Sequence, residues 1–220
     1  MKPGSAKTPA VDMRLHERRA HRMGFRLVTG IDEVGRGPLA GPVVAAAVIL
    51  PSWAKLPGLT DSKCLNSVQR ESFDKKIRAV ATAYGIGVVE NTEIDRINIL
   101  QASFRAMMLA IEQLKLRPDF LLIDGPYKLP VEIEQVGIPR GDSLSLSIAA
   151  ASVIAKVYRD RLMCDYHEVY PEYGFKTHKG YATALHFDAI RRHGPCALHR
   201  MSFHGVAGGE CVYDEGEEPL

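Results

Sequence analysis

The sequence has no C-x-x-C pair, no uninterrupted apolar run long enough to cross a bilayer, and no charged-then-apolar leader. Each absence removes a class of protein. Cys64, Cys164, Cys196 and Cys211 lie far apart, which argues against a zinc knuckle or a disulfide framework and leaves reduced, mostly packed thiols as the expectation. With no stretch of about 18 apolar residues there is no predicted membrane span, and with no leader the chain is expected to be cytoplasmic. A net charge of +2 is too small to announce a nucleic-acid partner. Its distribution says more. Arg14, Arg18, Arg19, Arg22 and Arg26 crowd the front, whereas Glu210, Asp214, Glu215, Glu217 and Glu218 make the end acidic.

What is present suits one domain of α/β type. Three parts are expected: a basic, partly disordered segment over 1–24 holding a short helix at 11–23, a folded unit over 25–204, and an acidic tail over 205–220. Apolar or β-branched runs predict strands over 25–31, 43–50, 84–90, 120–123 and 131–136. Amphipathic stretches predict helices over 67–83, with Ser67 as N-cap, and over 93–116, ended by Pro118. A small-residue helix from 143 to 157 must pack tightly, most simply on the sheet. Residues 160–204 are expected to fold over the site as a loop and one or two helices. The order of elements implies a mixed sheet flanked by helices.

Chemistry concentrates where strands end. In Gly30-Ile31-Asp32-Glu33-Val34-Gly35-Arg36-Gly37-Pro38, two carboxylates precede a glycine-rich turn. Neighbours on a strand point to opposite faces, so bringing Asp32 and Glu33 together requires a bend or bulge that the glycines permit. Asp124 repeats the arrangement after Phe120-Leu121-Leu122-Ile123, and Asp142 precedes the small-residue helix. Singly, Asp32-Glu33 reads equally as a solvated turn, Asp124 as a turn former before Gly125-Pro126, and Asp142 as a helix cap. Jointly, four converging carboxylates repel unless cations neutralise them. Oxygen ligands without clustered Cys or His favour Mg²⁺ or Mn²⁺. A pair of such ions would suit phosphodiester hydrolysis, although the residues alone leave transfer open.

The segment from Tyr173 to His204 is basic and aromatic, as a polyanion's neighbour should be. Phe175 and Phe187 are expected in the core, and Tyr181, beside Lys179-Gly180, to face a ligand. His178, His186, His193, His199 and His204 lack a metal spacing and are read as packed or phosphate-facing.

These stretches, with Asp61-Ser62-Lys63, Ser147-Ile148-Ala149-Ala150-Ala151-Ser152 and His178-Lys179-Gly180-Tyr181, resemble those of bacterial ribonuclease HII over about 25–204. The resemblance implies an RNase H-like fold with a C-terminal helical extension. It implies an endoribonuclease that cuts the RNA strand of RNA·DNA hybrids, and duplex DNA on the 5′ side of an embedded ribonucleotide, leaving a 3′-hydroxyl and a 5′-phosphate. Asp32, Glu33, Asp124 and Asp142 would be catalytic acids holding two divalent cations, Mn²⁺ or Mg²⁺. Gly35, Arg36 and Gly37 would read the ribose 2′-hydroxyl, Tyr181 would pack on the following sugar, and Ser62 and Lys63 would approach a phosphate. Arg140 departs from the family's usual Lys before Gly-Asp, which puts any fine role there in doubt. A monomer is expected, with no membrane contact. No clamp contact is expected either, since the tail lacks the Gln-x-x-hydrophobe-x-x-aromatic-aromatic pattern. Ribonuclease HIII is disfavoured because residues 1–24 leave no room for its N-terminal domain. A non-catalytic nucleic-acid-binding module of the same fold is disfavoured because all four acids are present.

Overall fold

The computed structural model describes residues 12–207, so the expected disorder of 1–10 and most of the acidic tail fall outside the described residues. Five strands make one mixed sheet: β1 (Val28–Val34), β2 (Val43–Ile49), β3 (Ala83–Val89), β4 (Phe120–Asp124) and β5 (Glu134–Ile138). Their spatial order is β3, β2, β1, β4, β5. The first three form an antiparallel meander, and β4 and β5 run parallel to β1. A parallel neighbour needs a crossover, supplied here by α3 (Asn91–Ile97) and α4 (Ile99–Glu112).

The valine-rich run of β2 is buried along its whole length because both faces are covered. Val44, Ala46 and Val48 pack with α2 (Ser67–Val80) and α5 (Leu146–Val169), while Val43, Ala45 and Ala47 pack with α4. Small residues let α5 lie very close to β1. A Cβ on Gly30 would come within 2.1 Å of the Ser147 carbonyl carbon.

The amino end of α5 is finished by a distant acid. Glu17, buried on α1 (Leu15–Arg22), accepts from the Ser147 N–H at 2.9 Å and from both the Ser145 and Ser147 hydroxyls at 2.7 Å. Negative charge at a helix amino end is favoured by the exposed N–H groups and the macrodipole. The basic helix expected in the front segment is thus stitched to the body through its one buried carboxylate.

Several boundaries differ from the sequence expectation. β1 runs three residues further, so Asp32 and Glu33 lie inside it. β5 falls at Glu134–Ile138 rather than 131–136. The helix expected over 93–116 is two, broken at Asn98, whose φ of 67° ends α3 and whose side chain caps α4 by accepting from Leu100 and Gln101. Asn66, not Ser67, caps α2 in a capping box with Gln69. α5 continues twelve residues beyond Val157 because Arg159 and Met163 remain buried against the C-terminal elements. The described thiols are free but not mostly packed: Cys64 is exposed, and Cys164 and Cys196 are half-buried.

Those C-terminal elements are α6 (Phe175–His178) and α7 (Ala184–His193). They close over α5 around Tyr173, Phe175 and Met163, with Phe187 packed alongside. Three histidines sit in this core. His178 stacks on His186 with ring centroids 4.4 Å apart, and His186 Nε2 meets His199 Nε2 at 3.0 Å. Burial holds His186 and His199 neutral, each down at about 4.

Two outcomes follow from this packing. Gly30→Ala should cost about 2–3 kcal/mol of stability in urea unfolding, because the added methyl meets helix backbone rather than a side chain that can rotate away. The histidines should make the fold acid-sensitive. Above the ordinary value of 6.5 neither folded nor unfolded chain carries their charge, and stability is complete. As pH falls from there toward 4, the unfolded chain takes up protons that the folded chain refuses, removing about 1.4 kcal/mol per pH unit for each histidine. His186→Gln should show a correspondingly shallower loss between pH 6.5 and 4.5, and an unchanged slope would mean that His186 is charged in the fold.

Candidate active site

Strand register assembles the acidic residues. In the parallel pair Ile31 lies opposite Ile123, and one step further along each strand come Asp32 and Asp124. Asp142 arrives on the 3-10 turn Gly141–Ser143 between β5 and α5. Asp124 Oδ1 latches that turn, accepting from the Gly141 N–H at 2.6 Å and the Asp142 N–H at 3.3 Å. Carboxylate oxygens of Asp32, Asp124 and Asp142 consequently lie within 4.8 Å of one another. Two local alternatives fall away. Ser145 rather than Asp142 caps α5, and Asp124 bonds a segment seventeen residues on rather than its own turn.

Glu33 is placed differently from the expectation. β1 pairs with β2 in unbroken register through Val34, so no bulge turns Glu33 toward Asp32. It faces the α4 side, pairs with Arg36 Nη1 at 3.3 Å, and is not one of the three acids whose oxygens cluster. Its Oε2 is nevertheless buried without a hydrogen-bond partner.

Burial and mutual proximity set the electrostatics of these acids. Burial, then Glu33 and Asp124, push the Asp32 carboxyl well above its usual range. Burial and Asp124 push Asp142 up to about 6, and burial raises Glu33 despite Arg36. Lys63 feels the converse: burial works against its charge, but Asp61, Asp142, Asp32 and Asp124 together raise it. Hard oxygen donors, three carboxylates crowded within 4.8 Å of one another and an orphaned oxygen on the neighbouring Glu33 fit a divalent metal ion.

A single cleft of about 580 Å³ takes in all four acids together with Gly35, Arg36, Gly37, Ser62, Lys63 and Tyr181. Tyr181 is 40% exposed there, and Ser62 is buried with its hydroxyl 2.8 Å from that of Ser152. Arg140, the departure noted above, is exposed in a left-handed conformation just before the Asp142 turn. Sequence reasoning missed Ser152 and Lys156, which also line the cleft. Their signal was present: polar residues four apart on an otherwise apolar helix share one face. A separate groove of about 430 Å³ between α2 and α5 is lined in part by ion pairs, Arg70 with Asp160 and Arg161 with Glu71.

Among the described residues no helix is long and apolar enough to cross a membrane. The family model described as Ribonuclease HII matches residues 29–206. A curated ribonuclease HII of Syntrophobacter fumaroxidans is 61% identical over 201 residues, covering 91% of this chain and 86% of that protein. One of Geotalea uraniireducens is 57% identical over 185 residues, covering 84% and 86%. The crystal structure of the ribonuclease H2 from Pyrococcus horikoshii superposes with a TM-score of 0.69 at 25% identity, over 82% of this chain and 95% of that one. With a family model matched over residues 29–206, a curated relative 61% identical across 91% of its length and a solved ribonuclease H2 of the same fold, the chain belongs to the ribonuclease HII family.

Proposed function

We propose that this chain, an endoribonuclease of the ribonuclease HII family, hydrolyses the RNA strand of RNA·DNA hybrids and cuts duplex DNA on the 5′ side of an embedded ribonucleotide. The products are a 3′-hydroxyl and a 5′-phosphate. The catalytic unit spans residues 25–204, with 1–24 and 205–220 as its basic and acidic flanks. One observation carries the reading: the oxygens of Asp32, Asp124 and Asp142 meet in the cleft that also holds the Gly35-Arg36-Gly37 turn and Tyr181.

Asp32, Asp124 and Asp142, joined by Glu33 from the neighbouring face, hold two divalent cations, Mn²⁺ or Mg²⁺. Such ions, when bound, supply Lewis acidity that favours hydroxide over water and offsets charge on a departing oxygen. The protein's own residues select and align the substrate. Backbone N–H groups at Gly35-Arg36-Gly37, unobstructed by side chains at both glycines, meet the ribose 2′-hydroxyl, the group that separates RNA from DNA. Tyr181 packs against the next sugar and favours a deoxyribose there. Ser62 and Lys63 take a backbone phosphate, with Ser62 oriented by Ser152.

Cleavage of a duplex bearing one ribonucleotide, mapped with Mg²⁺ or Mn²⁺ supplied, tests the reading: a single cut 5′ of the ribonucleotide is expected, and binding without cleavage would leave only a nucleic-acid-binding module. Asp124→Asn should keep an Oδ1 acceptor for the Gly141 N–H and therefore the fold, yet lower turnover by more than the 10–100-fold typical of an outer-shell partner. Circular dichroism with a cleavage assay checks both halves. Tyr181→Ala should reduce the preference for a ribonucleotide–DNA junction over a uniform hybrid by about tenfold in kcat/KM, as expected for losing one stacking contact.

A further inference from the structure

Among the described residues the largest fully buried side chains are two arginines, Arg159 on α5 and Arg200 after α7. Neither forms an ion pair among the described residues. A buried cation without a carboxylate is expensive unless every donor is satisfied, and here the donors go to backbone carbonyls. Arg200 donates from Nε to Gly41 O at 3.0 Å, from Nη1 to Arg36 O at 2.9 Å and from Nη2 to Gly35 O at 2.6 Å. Arg159 donates from Nε to Pro42 O at 2.9 Å, from Nη2 to Ala40 O at 3.2 Å and from Nη1 to Lys179 O at 3.0 Å. Five of the six acceptors belong to the single turn that joins β1 to β2, and the sixth precedes the Gly180-Tyr181 turn.

A trans peptide unit points its C=O and N–H in opposite directions. Because Arg200 draws the carbonyls of Gly35 and Arg36 into the core, the N–H groups of the same two peptide units, those of Arg36 and Gly37, are turned outward. Gly35 can follow this path, at φ 92°, only without a side chain, since a Cβ there would come 2.3 Å from Arg159 Nε. We propose that Arg200 is a positioning residue for sugar recognition: it fixes the 35–37 turn with its donors toward the cleft, beside the bonds by which Arg159 joins residues 40 and 42 to Lys179.

The inference rests on the reading of Gly35-Arg36-Gly37 as the 2′-hydroxyl contact, and its test separates the two. Full-length protein is titrated by fluorescence anisotropy, in EDTA so that nothing is cleaved, with a DNA duplex carrying one ribonucleotide and with the all-deoxy duplex. The ratio of the two dissociation constants is the readout, because simple loss of stability does not change it. Arg200→Gln and Arg200→Lys should each bind the all-deoxy duplex as wild type does and lose the ribonucleotide preference, by about tenfold for Gln and less for Lys, which keeps the charge but cannot make the three-way fork. Thermal melting identifies folded variants, and if the Gln variant does not fold the Lys variant decides. A folded Arg200 variant with the wild-type ratio overturns the inference. Gly37→Pro, which deletes one of the outward N–H groups, is the control for the underlying reading. If it keeps the preference, the turn is not the 2′-hydroxyl contact and both fall, whereas if it loses the preference while the Arg200 variants keep it, the inference alone fails.

Discussion

Three carboxylates held together at the ends of two parallel strands and a turn repel one another, and much of this structure serves to keep them in place. At separations below 4.8 Å a pair of ionised carboxylates costs about 3 kcal/mol or more even with an effective dielectric constant near 20. The fold answers that repulsion with backbone. β1 and β4 share a parallel register that leaves Asp32 and Asp124 no freedom to diverge, and Asp124 uses one oxygen to bind the turn that carries Asp142. Burial first, and the neighbouring carboxylates after it, raise Asp32 and Asp142 above the usual carboxylate range.

α5 is the element through which acidic and recognition parts communicate. Its 24 residues span about 36 Å. The amino end is fixed by Ser145 and Glu17 beside the Asp142 turn, its middle presents Ser152 and Lys156 to the cleft, and Arg159 grips the β1–β2 turn. Met163 then enters the C-terminal core, where three neutral histidines and Tyr173 support the segment bearing Tyr181. The small residues Ala149, Ala150, Ala151 and Ser152 near its amino end let α5 approach the sheet closely, and at Gly30 an added Cβ would meet helix backbone.

The candidate site was unusually legible in the sequence. Asp32, Asp124 and Asp142 each follow an apolar run or precede a small-residue helix, so local pattern alone suggested that they converge. Glu33 shows the limit of such reasoning. Its adjacency to Asp32 suggested a bulge, yet strand pairing with β2 proved stronger than any tendency of the following glycines to bend the chain. The break at Asn98 was likewise hidden, because no proline or glycine marks it and only the side chain's local bonds reveal why an asparagine stands there. Nothing near Arg159 and Arg200 in sequence announces that carbonyls from residues 35–42 will surround them.

By itself the sequence determined the elements with strong periodicity, the doubly covered β2 strand, the chemical class of the site and the family, all of which depend on residue type and near neighbours. Tertiary structure alone decided which acids share a pocket, which cap begins α5, and which way the peptide groups of the glycine-rich turn face. The pocket follows from the β1–β4 register and the Asp124–Gly141 bond. The support of the α5 amino end and the facing of the turn hang on bonds between residues more than a hundred apart, Glu17 to Ser147 and Arg200 to Gly35, and pairings between separate segments leave no periodic trace in the chain.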